Sequence, residues 1–278
     1  MITNTSPDRV AVEEGVVVGT GGGRSLRADV YVPPAGVSNR AGVLLVHGGA
    51  WVTGDRTQLR GYGIFLGRVG YTCVACEYRL AGDAKWPAQL EDVRTALRWM
   101  RENAPELGVD PERVAVSGNS AGGHLALMLA GTASPVPRKD AVGTCIAVYP
   151  PTDLTRRAPL PEGLTADVAE RQAGGDPSAF MLGGSDDKLR EQASPISYAS
   201  ASFPPTMLIH GSADELVHVE HSLRMYRALL EAGAKAELHI FEGAPHAFDR
   251  EQAFGRQCAS LMVLFLSRHL LSAGSAAK

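Results

Sequence analysis

From about residue 40 onward, short apolar runs alternate with amphipathic stretches. The runs GVLLVHG (42–48), TCVACEY (72–78), RVAVSG (113–118), CIAVYP (145–150), TMLIHG (206–211) and AELHIF (236–241) are strand-like, and most are near-continuous rather than alternating. This pattern predicts strands buried on both faces, as in a parallel sheet with helices on each side. Between them, PAQLEDVRTALRWMRENA (87–104) opens with proline and acidic residues and turns basic toward its end, as the helix dipole favours. HVEHSLRMYRALLEAGAK (218–235) sets Leu223, Tyr226 and Leu230 at helical spacing and stops at Gly233. FGRQCASLMVLFLSRHLL (254–271) predicts a final, largely buried helix. The leading segment RVAVEEGVVVGTGGGRSLRADVYVP (9–33) reads as two strands around a glycine-rich turn, an antiparallel hairpin at the sheet edge. The alternating order predicts one α/β domain over residues 1–278. The stretch 152–195, rich in proline, glycine and charge, is expected to be an insertion that shapes a pocket.

Composition narrows the function classes. A net charge of −3 gives no electrostatic basis for nucleic-acid binding. No apolar run approaches the roughly 20 residues of a membrane span. The first residues, MITNTSPDRVAVEEG, have neither the basic start nor the apolar stretch of a secretion signal, so a cytoplasmic protein is expected. Cys73 and Cys76 read as C-x-x-C but fall on a strand, where residues three apart point to opposite faces. Buried free thiols are therefore expected.

The chemistry concentrates where one strand meets one helix. In RVAVSGNSAGGHLALML (113–129), the motif G-x-S-x-G spans Gly118 to Gly122. A sharp strand-to-helix turn at Ser120 needs small neighbours, presents Oγ at the carboxyl edge of the sheet, and places it at a helix N-terminus that favours negative charge. Serine is a weak nucleophile and needs a base oriented by an acid. Asp214 follows one later strand and His246 follows the next, both in loops at the same edge; the order Ser, Asp, His is that of the α/β-hydrolase arrangement. In VHGGAW, a strand ends in two glycines, so Gly48 and Gly49, joined by Ala121 after the serine, are the expected oxyanion donors. His47 is expected to brace that loop. Trp51 and Trp86 are candidates to line a substrate pocket. His218 and His221 stand three apart on a helix and read as surface residues rather than metal ligands. Asp153 and Asp83 read as turn formers. No phosphate-loop or dinucleotide glycine pattern is present, so no cofactor is expected.

Together, LLVHGGAWVTGD, CEYRLAGDAKWPAQLEDVRTALRWMREN, VDPERVAVSGNSAGGHLA, ASPISY, PPTMLIHGSADELV and FEGAPHAF resemble the α/β-hydrolase esterases of the hormone-sensitive-lipase-like group. The resemblance is closer to the compact bacterial branch that includes feruloyl and acetyl-carbohydrate esterases. It implies a mostly parallel sheet with helices on both faces, a Ser120–His246–Asp214 triad, and an acyl-enzyme route for a small ester. Two departures stand out: Asn119 precedes the serine where the group usually has Asp or Glu, and the long N-terminal helical cap of larger relatives is absent. An amidase acting on arylformamides on the same triad, or a non-catalytic binding protein on this scaffold, are the competing readings. The lack of an obvious large apolar lid favours short acyl groups over long lipase substrates.

Overall fold

The apolar runs become the inner strands of one sheet. The structure, a computed structural model, describes residues 6, 8–133, 140–155, 176–184 and 186–271. The strands are β1 (Ala11–Gly21), β2 (Arg24–Val32), β3 (Gly42–Val46), β4 (Thr72–Cys76), β5 (Val114–Asn119), β6 (Thr144–Val148), β7 (Thr206–Gly211) and β8 (Ala236–Phe241). Among the described residues they form an eight-stranded sheet in the order β1-β2-β4-β3-β5-β6-β7-β8. β1 pairs antiparallel with β2, and β2 antiparallel with β4; every pairing from β4 across to β8 is parallel. The N-terminal hairpin thus sits at one edge, as its sequence predicts. Together these features define an α/β-hydrolase fold, a mostly parallel sheet flanked by helices.

The helices are α1 (Arg60–Arg68), α2 (Ala88–Glu102), α3 (Ala104–Leu107), α4 (Ala121–Gly131), α5 (Pro177–Leu182), α6 (Asp187–Gln192), α7 (Glu220–Glu231) and α8 (Gln252–Leu266). Alternation along each strand divides the core in two. On β3, Leu44 and Val46 join α2, α4 and α7 on one face, while Val43 and Leu45 join α1 and α8 on the other. Cys73 and Cys76 on β4 fall on opposite faces in the same way, both unpaired and both buried. Burial pushes both thiols above their ordinary range, which keeps them protonated and inert. No helix among the described residues is long and apolar enough to cross a membrane.

Three expectations need correction. α7 buries Ser222, Met225 and Leu229 rather than Leu223, Tyr226 and Leu230; Leu230 is exposed. The inward face is shifted because it admits a small serine, which hydrogen-bonds a buried histidine (His210) beneath it. α8 is buried along one face only, with Leu264 in solvent, because only the sheet side of it has a partner layer. β8 is half-exposed rather than buried on both faces, because it is an edge strand. Of the segment 152–195, residues 156–175 and 185 lie outside the described residues. The remainder forms α5, α6 and a connection whose Ile196 N–H reaches the Thr152 carbonyl at 3.0 Å.

One buried ion pair fixes how the chain leaves β4 and enters α2. Asp92 on α2 accepts from the Arg79 backbone N–H and Nε at 2.8 Å on one oxygen, and from an Arg79 terminal nitrogen at 2.8 Å on the other. Asp92 is almost fully buried. Removing it takes the two shortest side-chain contacts from a mostly buried guanidinium, which keeps only Glu91 at 3.5 Å and the Ala88 carbonyl at 3.3 Å, and leaves the Arg79 backbone N–H without its acceptor. Asp92→Ala is expected to lower unfolding free energy by about 3–5 kcal/mol, measured by urea denaturation.

Candidate active site

The parallel strands end at one edge of the sheet, and the loops that follow β3, β5, β6, β7 and β8 meet there. In an open α/β sheet this carboxyl edge is where ligands bind. Backbone strain gathers at the same place. Of the non-glycine residues with positive φ among the described residues, Ala50, Trp51, Ser120, Tyr149 and Ala247 all belong to these loops, and only Arg40 does not.

Ser120 occupies the turn between β5 and α4 with φ 54° and ψ −121°. The turn is tight because backbone packs on backbone. A Cβ at Gly118 would lie 2.2 Å from the Gly122 carbonyl oxygen, and one at Gly122 would lie 2.0 Å from that of Val46. The two glycines of the motif therefore allow β3, β5 and the first turn of α4 to approach more closely than any side chain permits. The Ser120 N–H bonds the Val148 carbonyl at 2.8 Å, which anchors the strained residue to the end of β6.

His246 lies in the loop after β8 and reaches both expected partners. Its Nδ1 is 2.7 Å from Asp214 Oδ2 and its Nε2 is 3.0 Å from Ser120 Oγ. With Nδ1–H donating to the carboxylate, Nε2 is left to accept from the serine hydroxyl. Asp214, in the loop after β7, is buried and surrounded by donors. Leu216 and Val217 N–H groups reach Oδ1 at 3.0 and 2.8 Å. Burial raises this carboxyl, but hydrogen bonds from His210 and His246, the charge of His246 and the Val217 N–H outweigh it and bring the pKa down to about 2.

His210 is a participant that the sequence does not disclose. Its Nε2 donates to the Val217 carbonyl at 2.8 Å and sits 3.3 Å from Asp214 Oδ2, while Nδ1 accepts from Ser222 Oγ at 2.7 Å. It pins the Asp214 loop from beneath. Its only sequence signal is a histidine at a strand end, four residues before the acid.

The loop after β3 brings Gly48 beside the serine: a Cβ there would lie 3.3 Å from Ser120 Cβ. Gly49 has φ 119°, and a Cβ on it would meet the Thr53 carbonyl at 2.1 Å. Among the described residues neither Gly48 nor Gly49 donates its N–H to another backbone carbonyl. The Ala121 N–H opens α4, where no intrahelical acceptor exists. These three N–H groups are thus left without a backbone acceptor in the segments on either side of the serine. His47 braces the loop: its Nδ1 donates to the Gly48 carbonyl at 2.8 Å and its ring stacks on Tyr78 with centroids 4.3 Å apart.

Trp51 and Trp86 do not share one role. Trp51 is buried in the core, and its Nε1–H donates to His124 Nδ1 at 3.3 Å, so it ties the Gly48–Gly49 loop to α4 rather than offering an open wall. Trp86 is half-buried, with its ring 5.8 Å from that of His124. His221, expected on the surface, instead accepts from the Thr152 N–H at 3.1 Å through Nδ1, and burial first of all lowers it to about 4. The Thr152 loop packs on this part of the helix, with Thr152 Oγ1 donating to the His221 carbonyl at 2.7 Å, and draws the ring inward. Asp153 forms the expected turn with Thr155 and also pairs with Arg224. Asp83 also lies in a turn, its N–H reaching the Leu80 carbonyl at 2.8 Å, and its side chain pairs with Arg24 at 2.8 Å on the surface. Among the described residues no group of three or more His, Cys, Asp or Glu is placed to hold a metal ion.

A strained serine at a strand-to-helix turn, a histidine and buried carboxylate in line, and N–H donors beside the hydroxyl define the α/β-hydrolase class. The BD-FAE family profile matches residues 28–229. Similar proteins include esterase LipC of Mycobacterium tuberculosis, 32% identical over 80% of this chain and 55% of its own length. Ethyl acetate hydrolase of Pseudomonas putida is 32% identical over 82% of this chain and 73% of its own. Among solved structures, Thermogutta terrifontis esterase 2 phosphoramylated by tabun superposes with a TM-score of 0.76 at 26% identity, covering 95% of this chain and 96% of that one. The same esterase bound to butyrate superposes with a TM-score of 0.75. The chain belongs to the BD-FAE family and, with it, to the hormone-sensitive-lipase-like esterase group. It spans about half the length of LipC and LipQ, two of the curated relatives it matches.

His124, one turn into α4, gives a test of how this site holds together. Trp51 donates to its Nδ1, so Nε2 carries the proton and donates to the Ala193 carbonyl at 2.7 Å. Burial lowers its pKa to about 4, against 6.5 in an unfolded chain. Between those values the unfolded chain binds a proton that the folded protein refuses, so stability falls as pH falls from 6.5 toward 4. The slope reaches about 1.4 kcal/mol per pH unit for one such group. Calorimetric Tm is expected to drop across that window, and to drop less steeply in His124→Gln.

Proposed function

We propose that the protein hydrolyses short-chain carboxylic esters through an acyl-enzyme on Ser120. The observation that carries this is the continuous line from Asp214 through His246 to the strained Ser120 hydroxyl, at 2.7 and 3.0 Å. As Oγ attacks the ester carbonyl, His246 Nε2 takes its proton, and Asp214 stabilises the imidazolium that results. The N–H groups of Gly48, Gly49 and Ala121 hold the oxygen that becomes negative. The imidazolium then protonates the departing alcohol, leaving an acyl-serine. Water repeats the sequence, giving up its proton to His246 and releasing the acid. No cofactor enters any step.

Preference for short acyl groups is supported by the ethyl acetate hydrolase and by the butyrate-bound esterase. Reaction with organophosphates is supported by the tabun-modified esterase. In this reading the chain is one hydrolase domain, and the described parts of 152–195, which carry Thr152 and Ala193 against α7 and α4, shape the pocket.

Ser120→Ala is expected to fold normally and lose on the order of 10⁴ to 10⁶ in kcat on p-nitrophenyl acetate and butyrate, and Asp214→Asn up to about 10⁴. Retained turnover in Ser120→Ala refutes the mechanism. A wild-type preference for N-formyl arylamines over esters in the same assay replaces esterase with amidase.

In a separate test, Gly49→Ala is expected to cost about 10²-fold or more in kcat with a smaller change in KM. A change confined to KM would mean that the loop shapes the pocket only.

A further inference from the structure

The side chain of the residue before the nucleophile turns away from the serine toward the loop that carries His246. Asn119 Nδ2 donates to Asp249 Oδ2 and lies 3.1 Å from Tyr149 Oη. The Tyr149 hydroxyl donates to Asp249 Oδ1, and the Tyr62 hydroxyl, from α1, reaches Asp249 Oδ2 at 2.8 Å. Asp249 stands three residues after His246, with Ala247 between them in the left-handed region. The Tyr149 ring lies edge-on to the His246 ring, with centroids 4.6 Å apart and planes at 61°. One carboxylate therefore joins the residue that aims the serine, the ring that flanks the histidine, and the loop that carries it.

We propose that Asp249 is a positioning residue of the esterase centre, and that Asn119 is the matching half of the device. It rests on the ester-hydrolase reading above and specifies which residues hold its base and nucleophile in line. An amide is required at 119 because the acid sits at 249: it supplies the donor that a second carboxylate lacks. With Asp or Glu at 119 two carboxylates would face each other at hydrogen-bond range, where ionising both is unfavourable. One hydrogen bond thus spans the nucleophile turn and the histidine loop. The titratable groups facing the carboxylate are the phenols of Tyr62 and Tyr149, the Cys258 thiol of α8 and, along the chain, Arg250. Burial and then the Asp249 charge hold both phenols well above their ordinary range, so both remain donors.

The test compares Asp249→Ala, Asn119→Asp and the swap Asn119→Asp/Asp249→Asn on p-nitrophenyl butyrate, with Tm and the rate of Ser120 phosphonylation by a fluorophosphonate measured alongside. Asp249→Ala is expected to lower kcat by about 10²-fold with KM little changed, as a displaced catalytic group does. The phosphonylation rate should fall in parallel. In Asn119→Asp the two carboxyls share one proton at low pH. As pH rises that proton leaves, the like charges separate the loops, and kcat/KM falls on the alkaline side where wild type does not. The swap again holds a single carboxylate and should restore both rate and profile. A purely structural role would move Tm and leave kcat and the pH profile alone. Wild-type kcat in Asp249→Ala, a wild-type profile in Asn119→Asp, or a swap no better than that single variant would each overturn the proposal. If Asp249→Ala does not fold, the two near-isosteric variants decide. A wild-type protein that is phosphonylated at Ser120 yet hydrolyses no ester would refute the ester reading alone, and the phosphonylation rates would still score the network.

Discussion

Everything at this edge of the sheet depends on one close approach. For Ser120 to hold φ 54°, the chain must leave β5 and start α4 within a residue, which requires Gly122 to pass directly over the Val46 and His47 carbonyls. A left-handed conformation at a non-glycine residue costs of order 1–3 kcal/mol and persists only where the surroundings over-determine it. Here the surroundings are the sheet itself. Parallel neighbours on both sides of β5 hold its end in place, and the Val148 carbonyl takes the Ser120 N–H. The strain is therefore distributed over β3, β5, β6 and α4. The same contact brings the Gly48 loop beside Ser120, so the serine and the proposed oxyanion donors are positioned by one packing event.

The sequence discloses this arrangement because its physics is local. Near-continuous apolar runs mark inner parallel strands, and glycines around a serine at a strand end mark a backbone contact that excludes side chains. Asp214 and His246 are found because each falls just past a strand, where the chain must emerge at the sheet's carboxyl edge. What stays hidden is set by tertiary partners. Nothing in HVEHSLRMYR states that His221 turns toward the Thr152 loop, or that Ser222 faces inward to meet His210. Nothing around Trp51 states that its indole N–H is taken by a histidine more than 70 residues away. Asp249 is the clearest case. Three residues past His246 it reads as an ordinary loop acid, and its significance comes only from Tyr62 and Asn119, each far off in sequence.

Two carboxylates stand on either side of the His246 loop, and their different surroundings suit different work. Asp214 touches the imidazole directly and is held ionised, with a pKa near 2, by donors that outweigh its burial. That makes it able to stabilise a positive imidazole the moment one forms. Asp249 makes its contacts to an amide and two phenols instead, and among the described residues it meets the imidazole through the Tyr149 ring. A second charge placed directly on the ring would favour the imidazolium before the serine proton arrives and so weaken the base it is meant to serve. Surrounded by neutral donors, the same carboxylate fixes geometry with little direct pull on the proton. In the proposed mechanism, identical side chains thus divide the labour of the site: one acts through charge, the other through direction. Asn119 lets the second do so, because an amide beside the serine can bond a carboxylate without adding to its charge.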